Sequence, residues 1–323
     1  MSRTPASALR VVPVPGPGAE DVVVAGHGPD EGAVFTGTAD GSIVRVRPDG
    51  STDGWAVERV AQTGGRPLGI EIDPDGRLLV CDAKQVVLRV DPATGGIEQV
   101  TRDVAGRPMM FCNNAAIAVD GTVWFSDSST AFGIDDWKAD LVQDTRTGRL
   151  LRLGTDGSVS VVLDGLAFAN GVALAADESY VCVAETGART VVRHWLSGPL
   201  SGTRDVLVAD LPGYPDNISR GSDGLIWVSL ASPRDPVVER LQAGPRWLRR
   251  QVTRIPERLQ PRPQRTVRAR AYDTQGRLVH DLDVEATGYH MVTGVREHDG
   301  RVWLGSLHEP AVAVLDVSDL APR

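Results

Sequence analysis

One local pattern recurs along the chain and constrains its fold more than any other feature. Each copy combines a turn of the Asp-Gly type, one polar residue and a β-branched or aromatic run. The six copies are EGAVFTGTAD (31–40), DGRLLVCDA (75–83), DGTVWFSDSS (120–129), DESYVCVAET (177–186), DGLIWVSLAS (223–232) and DGRVWLGSLH (299–308). The first five follow one another at similar intervals, whereas the interval before the sixth copy is clearly longer.

This spacing predicts a β-propeller. A period of ~40–50 residues built from strands is the signature of a propeller, in which each repeat forms one four-stranded blade. Segments such as QVVLRVDPATGGIEQV, after the second copy, fit the third and fourth strands of a blade. One blade cannot bury both of its faces, so the ring has to close as a unit. We therefore predict an all-β fold, a single six-bladed β-propeller domain that spans residues 1–323.

The long last interval predicts an insertion at 232–265, near the fifth and sixth blades. From Arg234 to Arg270 the sequence has 11 arginines and three acidic residues, a local charge of +8, so the remainder carries −16. Apolar residues follow near-helical spacing, and prolines divide the segment into short pieces. We expect a helical or irregular basic lid or rim. A solvated cap is the plain interpretation, contact with a membrane surface or an acidic ligand is the first alternative, and nucleic-acid binding by this segment is the second.

Composition narrows the class of protein. Of 323 residues, 41% are hydrophobic and 24% charged, which is typical of a globular domain. The net charge of −8 argues against nucleic acid as the main partner. We see no secretory signal in MSRTPASALRVV and no apolar run near the ~20 residues of a membrane span, so we expect a cytoplasmic protein. The three cysteines lie in LLVCD, MMFCN and YVCVA, which favours buried free thiols over a disulfide between two of them.

Short oxygen-bearing side chains stand at matching places ahead of four repeats. They are Asn113 in FCNNAAIAV, Asn170 in FANGVALAA, Asp216 in YPDNISRGS and Glu20 in GAEDVVVAG. In a propeller, these matching positions lie at the inner end of the innermost strand of each blade, where different blades converge on the central channel. An all-oxygen set with two negative charges suits Ca²⁺, Mg²⁺ or Mn²⁺. The alternative is that each residue only starts its strand with an Asx-turn.

Several of these segments together resemble a known family. GRPLGIEI, FCNNAAIA with DGTVWFSDSS, FANGVALAADESYVCVAET, LPGYPDNI and VREHDGRVWLGSLHEP are similar to the strictosidine-synthase-like proteins. Those proteins belong to the wider superfamily of senescence-marker-protein lactonases, gluconolactonases and paraoxonases. The resemblance extends from about Gly18 to Val314 and implies a divalent cation, usually Ca²⁺, in the central channel of a six-bladed propeller. Mg²⁺, Mn²⁺ and Zn²⁺ are the other candidates.

The resemblance also implies which residues hold the ion. The family's ligand positions fall on Glu20, Asn113, Asn170, Asp216 and, as in paraoxonase-like members, Asn217. Asp21 could join a second, structural site. Asp30 and Glu31 in GPDEG are alternative candidates for the metal ligand of the first blade. Because they belong to a Gly/Pro turn between strands, we prefer Glu20 as this ligand.

The implied reaction is hydrolysis of a lactone or ester, a small-molecule substrate, by metal-activated water. Asp216 is the expected general base, because lactonase members use the matching aspartate in that way. His290 in TGYHMVTGV is either an acid/base group or a packed or exposed residue. Arg66 in GRPLG either orients a substrate carbonyl or carboxylate, or pairs with an acid structurally.

Two other functions remain open at this point. A strictosidine-synthase-type condensation of an amine with an aldehyde needs no metal and relies on a glutamate of the last blade. Thr293 occupies that position here. The other open function is that of a non-catalytic propeller used for binding, in which a structural metal only holds the blades together. A full ligand set together with a missing acid favours hydrolysis.

Overall fold

The computed structural model describes residues 3–50, 54–255, 264–285 and 288–320. Six four-stranded antiparallel sheets form the blades of a β-propeller, which confirms the predicted fold. Blade 1 consists of β2 (Val22–Val24), β3 (Val34–Gly37), β4 (Ser42–Pro48) and β5 (Trp55–Gln62). Blade 2 consists of β6 (Pro67–Ile72), β7 (Leu78–Asp82), β8 (Val86–Val90) and β9 (Ile97–Thr101).

The next blades follow the same order from the inner to the outer strand. Blade 3 consists of β12 (Cys112–Ile117), β13 (Val123–Asp127), β14 (Gly148–Leu153) and β15 (Val159–Leu166). Blade 4 consists of β16 (Ala169–Leu174), β17 (Tyr180–Glu185), β18 (Thr190–Trp195) and β19 (Arg204–Val208). A two-stranded hairpin, β10 (Asp103–Val104) with β11 (Arg107–Pro108), precedes blade 3.

The last two blades contain the chain's largest insertion and the closure of the ring. Blade 5 consists of β20 (Gly213–Arg220), β21 (Ile226–Pro233), β22 (Val267–Tyr272) and β23 (Leu278–Val284). Blade 6 consists of β24 (Val292–His298), β25 (Arg301–Ser306), β26 (Ala311–Asp316) and, as its outer strand, β1 (Arg10–Pro13). The six repeated motifs form the second strand of each blade, as their strand-like runs predict.

An N-terminal strand closes the ring, a feature that the repeat pattern did not reveal. β1 pairs antiparallel with β26, with Arg10 opposite Val314 and Pro13 opposite Ala311. Val12 is 2% exposed and packs between blades 6 and 1, whereas its neighbour Val11 is 47% exposed. The first and last parts of the chain therefore share one sheet.

The insertion lies inside blade 5, between its second and third strands, and not between blades. It contains two short helices, α2 (Pro236–Gln242) and α3 (Arg246–Val252). Asp235 caps α2, since its Oδ1 accepts a hydrogen bond of 2.7 Å from the Val237 N–H. Residues 256–263 of the predicted lid lie outside the described residues.

A third helix, which sequence analysis did not predict, joins these two. α1 (Trp137–Gln143) is inserted between β13 and β14 of blade 3. Gln242 Nε2 donates to the Leu141 carbonyl at 2.8 Å, and Arg249 Nη1 donates to the Gln143 carbonyl at 2.8 Å. We call α1, α2 and α3 together the lid helices. No helix in the described part of the chain is long and apolar enough to cross a membrane.

The core is divided among the spaces between neighbouring blades. Between blades 2 and 3, for example, Phe125 and Leu151 pack with Cys81 and Cys112. These two cysteines and Cys182 are buried and unpaired, as their apolar neighbours predict. Each blade thus buries its faces only against the next, and stability depends on closure.

Ring closure gives a first prediction. Val12→Asp should lower the free energy of unfolding by about 3 kcal/mol or more, because it buries a charge without a partner. Val11→Asp, one residue away on the exposed face, should change it by no more than ~0.5 kcal/mol. Urea denaturation of both variants measures the difference. Equal stabilities would contradict the role assigned to β1.

Candidate metal centre

The inner strands bring one residue from each blade to the same level of the channel. In blade order these are Glu20, Leu68, Asn113, Asn170, Asp216 and Thr293. All but Thr293 line a single cavity. Thr293 is turned away, since its Oγ1 donates to the Glu20 carbonyl at 2.8 Å. The four polar residues predicted from the repeats are therefore brought together.

A β-bulge explains how these side chains are aimed. In five of the inner strands the pairing register shifts at this residue and the next, for example between Cys112 and Ala115 and between Pro67 and Ile70. An extra residue at a bulge interrupts the alternation of side chains and re-aims one of them. Except in the strand of Thr293, the first bulged residue thus faces the cavity instead of the neighbouring blade.

The second residue of each bulge alternates between a polar side chain and glycine around the ring. In blade order the residues are Asp21, Gly69, Asn114, Gly171, Asn217 and Gly294. A Cβ atom on Gly171 would lie 2.0 Å from the backbone nitrogen of Ile218, and one on Gly69 would lie 2.6 Å from the Asn114 Cα. A Cβ on Gly294 would lie 2.8 Å from the Asp21 Cα. The axis therefore holds three side chains at this level, and the glycines make room for them.

This crowding can be tested at one glycine. Gly171→Ala should lower the free energy of unfolding by about 3 kcal/mol or more, because backbone atoms of the next blade would have to move. Gly288→Ala, where an added Cβ meets nothing within 4 Å, is the control and should stay within ~0.5 kcal/mol. Thermal unfolding of both variants compares them. A stable Gly171→Ala variant would mean that the axis is loosely packed.

The amide groups of the predicted ligands are oriented by their neighbours. Asn170 Nδ2 donates to Thr186 Oγ1 at 3.2 Å, and that hydroxyl itself donates to the Pro215 carbonyl at 2.8 Å. Because the hydroxyl proton is already used, Thr186 can only accept from the amide. Asn113 Nδ2 donates to Ser128 Oγ at 3.0 Å. In both residues the NH₂ group thus donates to a hydroxyl of the protein, and the side-chain oxygen accepts no hydrogen bond.

Three amide oxygens consequently have no hydrogen-bond partner among the described residues. They are the buried Oδ1 atoms of Asn113, Asn170 and Asn217. The Nδ2 of Asn217 donates to Glu20 Oε2 at 3.1 Å. Buried acceptors without donors are rare and costly in native proteins. Three of them on ligand candidates indicate an electron-pair acceptor such as a cation.

The carboxyl groups of the site are poorly compensated by the protein. Burial raises the pKa of Glu20 well above its ordinary value, and the carboxylates of Asp216 and Asp21 raise it further. Burial also raises the pKa of Asp216 to about 7, although a hydrogen bond from Asn170 opposes this. The Arg66 guanidinium lowers the pKa of Glu20 but does not outweigh burial. A positive charge at this level would stabilise both carboxylates.

The donor set fits a hard divalent cation. Two carboxylates and three amide oxygens are the ligand types of Ca²⁺, which takes six to eight oxygens and tolerates irregular geometry. Among the described residues no group of three or more His, Cys, Asp or Glu side chains is placed to hold a metal ion. Zn²⁺ sites are built from such side chains, so Zn²⁺ fits this set poorly.

The next level of the channel is filled by the protein itself. Asp21 Oδ2 accepts hydrogen bonds from Asn114 Nδ2 at 3.1 Å and from the Ile70 N–H at 3.2 Å. Burial raises the pKa of Asp21 to about 7, and the Arg296 guanidinium, which is paired with Glu71, opposes this rise. Asp21 therefore has donors and a counter-charge from the chain, which leaves less need for a second cation.

The rival acids of the first blade lie elsewhere. Asp30 is paired with Arg45 at 2.8 Å and also with Arg47. Glu31 is exposed in a turn. Neither lines the cavity, whereas Glu20 does.

The two other predicted catalytic residues do not line the cavity. Arg66 lies two residues before Leu68, is 7% exposed, and donates from Nη1 to the Gly18 carbonyl at 3.2 Å. His290 is paired through Nδ1 with Glu309, and its ring lies edge-on to His308 with 5.6 Å between centroids. Arg66 thus acts on the site through its charge beside Glu20.

An apolar cavity of about 210 Å³ rises from the polar floor. This volume corresponds to roughly seven water molecules, because each occupies about 30 Å³ in the liquid. Phe111 and Phe168 form one wall, with rings edge-on at 5.5 Å between centroids. The lid helices contribute Trp137, Leu141 and Leu241, among others, and Trp137 packs against the cluster that contains the two phenylalanines. Sequence analysis missed the contribution of α1, because so short a helix does not let a helical period stand out.

Comparisons with known proteins agree with this architecture. A family model described as "Strictosidine synthase" matches residues 113–199. The chain is 33% identical to strictosidine synthase-like protein 10 of Arabidopsis thaliana, over 91% of this chain and 83% of that protein. It is 32% identical to adipocyte plasma membrane-associated protein of Salmo salar, over 88% and 73% of the two chains. A solved gluconolactonase from Xanthomonas campestris superposes with a TM-score of 0.68 at 16% identity, covering 95% and 89%.

Proposed function

Since this chain belongs to the strictosidine synthase-like family, and its channel gathers oxygen ligands beneath an apolar cavity, we propose that it is a metal-dependent hydrolase of lactones or esters. The observation that carries the proposal is the set of three unpartnered amide oxygens beside two buried carboxylates. Ca²⁺ is the proposed ion, and the substrate is a small molecule that enters beneath the lid helices.

Each residue of the floor has a distinct role in this proposal. Glu20 and Asp216, with the amide oxygens of the three asparagines, hold the ion. When bound, such an ion polarises a substrate carbonyl and lowers the pKa of water. Asp216 is more exposed to the cavity than Glu20, so in this proposal Asp216 is the carboxylate that receives a proton from the attacking water.

Neither Arg66 nor His290 contacts the substrate in this proposal. Arg66 balances the charge of Glu20 from the channel wall instead of touching the substrate. His290, paired with Glu309, stands outside the cavity. Proton transfer through His290 is therefore not part of the proposed reaction.

The walls favour a substrate with an apolar acyl part. Phe111, Phe168 and Trp137 offer surface but few hydrogen bonds. The hydroxyl groups of a sugar lactone would lose water there without regaining partners, which is costly. An alkyl chain would gain ~0.8 kcal/mol for each buried CH₂.

Substrate preference is the first test of these walls. A lactone with three additional CH₂ groups in its side chain should show a kcat/KM up to roughly 50-fold higher, because about 2.4 kcal/mol of burial is added. The measurement compares a short and a long alkyl δ-lactone with gluconolactone. If gluconolactone were the best of the three, the apolar preference would be wrong.

Asp216 is the most direct residue test. Asp216→Asn keeps the side chain's size but removes its charge and its capacity to accept a proton, so kcat should fall by ~10²–10⁴. Asp164→Asn, at an exposed site on β15, is the matched control and should keep full activity. Hydrolysis of an aryl ester, followed with and without EDTA, provides the rates. Full activity of Asp216→Asn would exclude the proposed roles of this residue.

The family match favours one second candidate, a condensing enzyme that joins an amine to an aldehyde. Thr293 holds the position of the required acid and is 1% exposed, with its hydroxyl bonded to the Glu20 backbone. Condensation that persists in EDTA, without any hydrolysis, would favour this candidate. A bound ion with neither activity would favour a binding propeller.

The proposed setting is the cytoplasm. All three cysteines are buried and unpaired, as is usual where thiols are kept reduced.

A further inference from the structure

The surface of α2, α3 and the following turn that faces away from the cavity carries a combination of side chains that the proposed reaction does not use. Trp247 is 67% exposed, Val237 is 53% exposed and Ile255 is 41% exposed. Elsewhere in the described residues the large exposed apolar side chains, for example Val119 and Val206, are distributed over blades 2 to 6 and their connecting segments. We call residues 236–255 the lid segment, because it holds α2, α3 and the turn that follows them.

The lid segment is amphipathic although its helices are short. Val238, Leu241 and Val252 face the cavity. Arg249 is 8% exposed and is held against α1. The opposite side of α3 presents Trp247 to solvent, one turn before Arg250 on the same face. The side chains on the outer face are therefore not needed for packing the lid on the propeller.

All charged side chains that the lid segment exposes are arginines. They are Arg240, Arg246, Arg250 and Arg254. Its one acidic residue, Glu239, is half-buried and bonded to Arg189 and to Tyr214. Among the described residues, Arg240, Arg246 and Arg250 have no carboxylate within ion-pair distance. The exposed charge is thus available to a partner.

The charge of the lid segment is opposite to that of the rest of the molecule. Residues 236–255 contain five arginines and one glutamate, a net +4, so the remaining chain carries −12. Such a molecule orients in the field of an anionic surface with the lid foremost. Repulsion of the remaining chain would keep the propeller's other faces away from that surface.

The exposed apolar face is continuous with the cavity. Val237 and Ile255 are exposed, and both also line the cavity beside Trp137. A layer that covers the lid segment would therefore meet the entrance to the site. An indole beside arginines is the pattern of an element that lies in a membrane interface, where the ring enters the headgroup region and the guanidinium groups contact phosphates.

From these observations we propose that the lid segment is a docking surface for anionic lipid membranes. The protein would bind peripherally, with Trp247, Val237 and Ile255 inserted between headgroups and the exposed arginines on lipid phosphates. Docking would place the cavity entrance against the bilayer. The proposal concerns binding alone and does not depend on the proposed hydrolase activity.

Vesicle co-sedimentation of the full chain tests this proposal. Vesicles of phosphatidylcholine mixed two to one with phosphatidylglycerol should bind the protein at least tenfold more strongly than phosphatidylcholine alone. Arg246→Glu/Arg250→Glu should weaken this partitioning at least tenfold, since each basic residue near an anionic surface contributes about a fivefold gain. The matched control is Arg59→Glu/Arg204→Glu, two exposed arginines on the outer strands of blades 1 and 4, which should bind as the wild type does.

A second pair of variants tests insertion as distinct from charge attraction. Trp247→Ala should weaken binding at least fivefold, whereas Val119→Ala, at the opposite end of the inner strands, should leave it unchanged. All changed positions are exposed, and thermal unfolding verifies that the variants remain folded.

Three outcomes would overturn the proposal. One is equal binding to neutral and anionic vesicles, or none to either. Another is equal loss in the lid and control arginine variants. The third is loss on arginine reversal with unchanged binding of Trp247→Ala, because a surface that attracts by charge alone fits an acidic protein instead of a membrane.

Discussion

The narrowness of the propeller axis is the constraint on which the rest of this structure depends. Six strands begin there, and their backbones lie so close that a Cβ on Gly171 would come within 2.0 Å of the neighbouring blade. Glycine in every second blade relieves this crowding and leaves three polar side chains at that level. One residue earlier the β-bulges turn Asn113, Asn170 and Asp216 toward the point where Glu20 also lies. The close backbones that build the fold therefore also build the site.

Concentrating oxygen atoms in a buried channel has an electrostatic cost that shapes the surroundings. The pKa values of Glu20 and Asp216 are raised chiefly by burial, and Arg66 compensates only the first. One level further along, Arg296 and Asn114 satisfy Asp21. At that level the protein itself supplies Asp21 with donors and a counter-charge, whereas Glu20, Asp216 and the three unpartnered amide oxygens are the groups that a cation would satisfy. The lid helices then partly cover the cavity above the uncompensated level, and a substrate that displaces water there would strengthen the interactions within it.

The structural features that repeat along the chain could be predicted from the sequence, whereas those that occur only once could not. Six copies of one turn-and-strand motif defined the propeller, and the matching phase of Asn113, Asn170 and Asp216 located the site. The N-terminal strand carries no copy of the motif, so its place in blade 6 depends on pairing with the far end of the chain. α1 is too short for its period to be visible. Arg66 shows a different failure: it lies two positions before Leu68, and only the bulge determines that Leu68 faces the cavity.

The oxygen atoms around the axis are proposed to hold one divalent cation, and the rest of the proposed chemistry depends on that ion. Calorimetric titration of EDTA-stripped protein with CaCl₂ tests this most directly, with the double variant Glu20→Gln/Asp216→Asn as the reference. We predict that the wild type binds one calcium ion per chain and that the double variant binds none at the same concentrations. No binding by the wild type, or equal binding by the double variant, would contradict it.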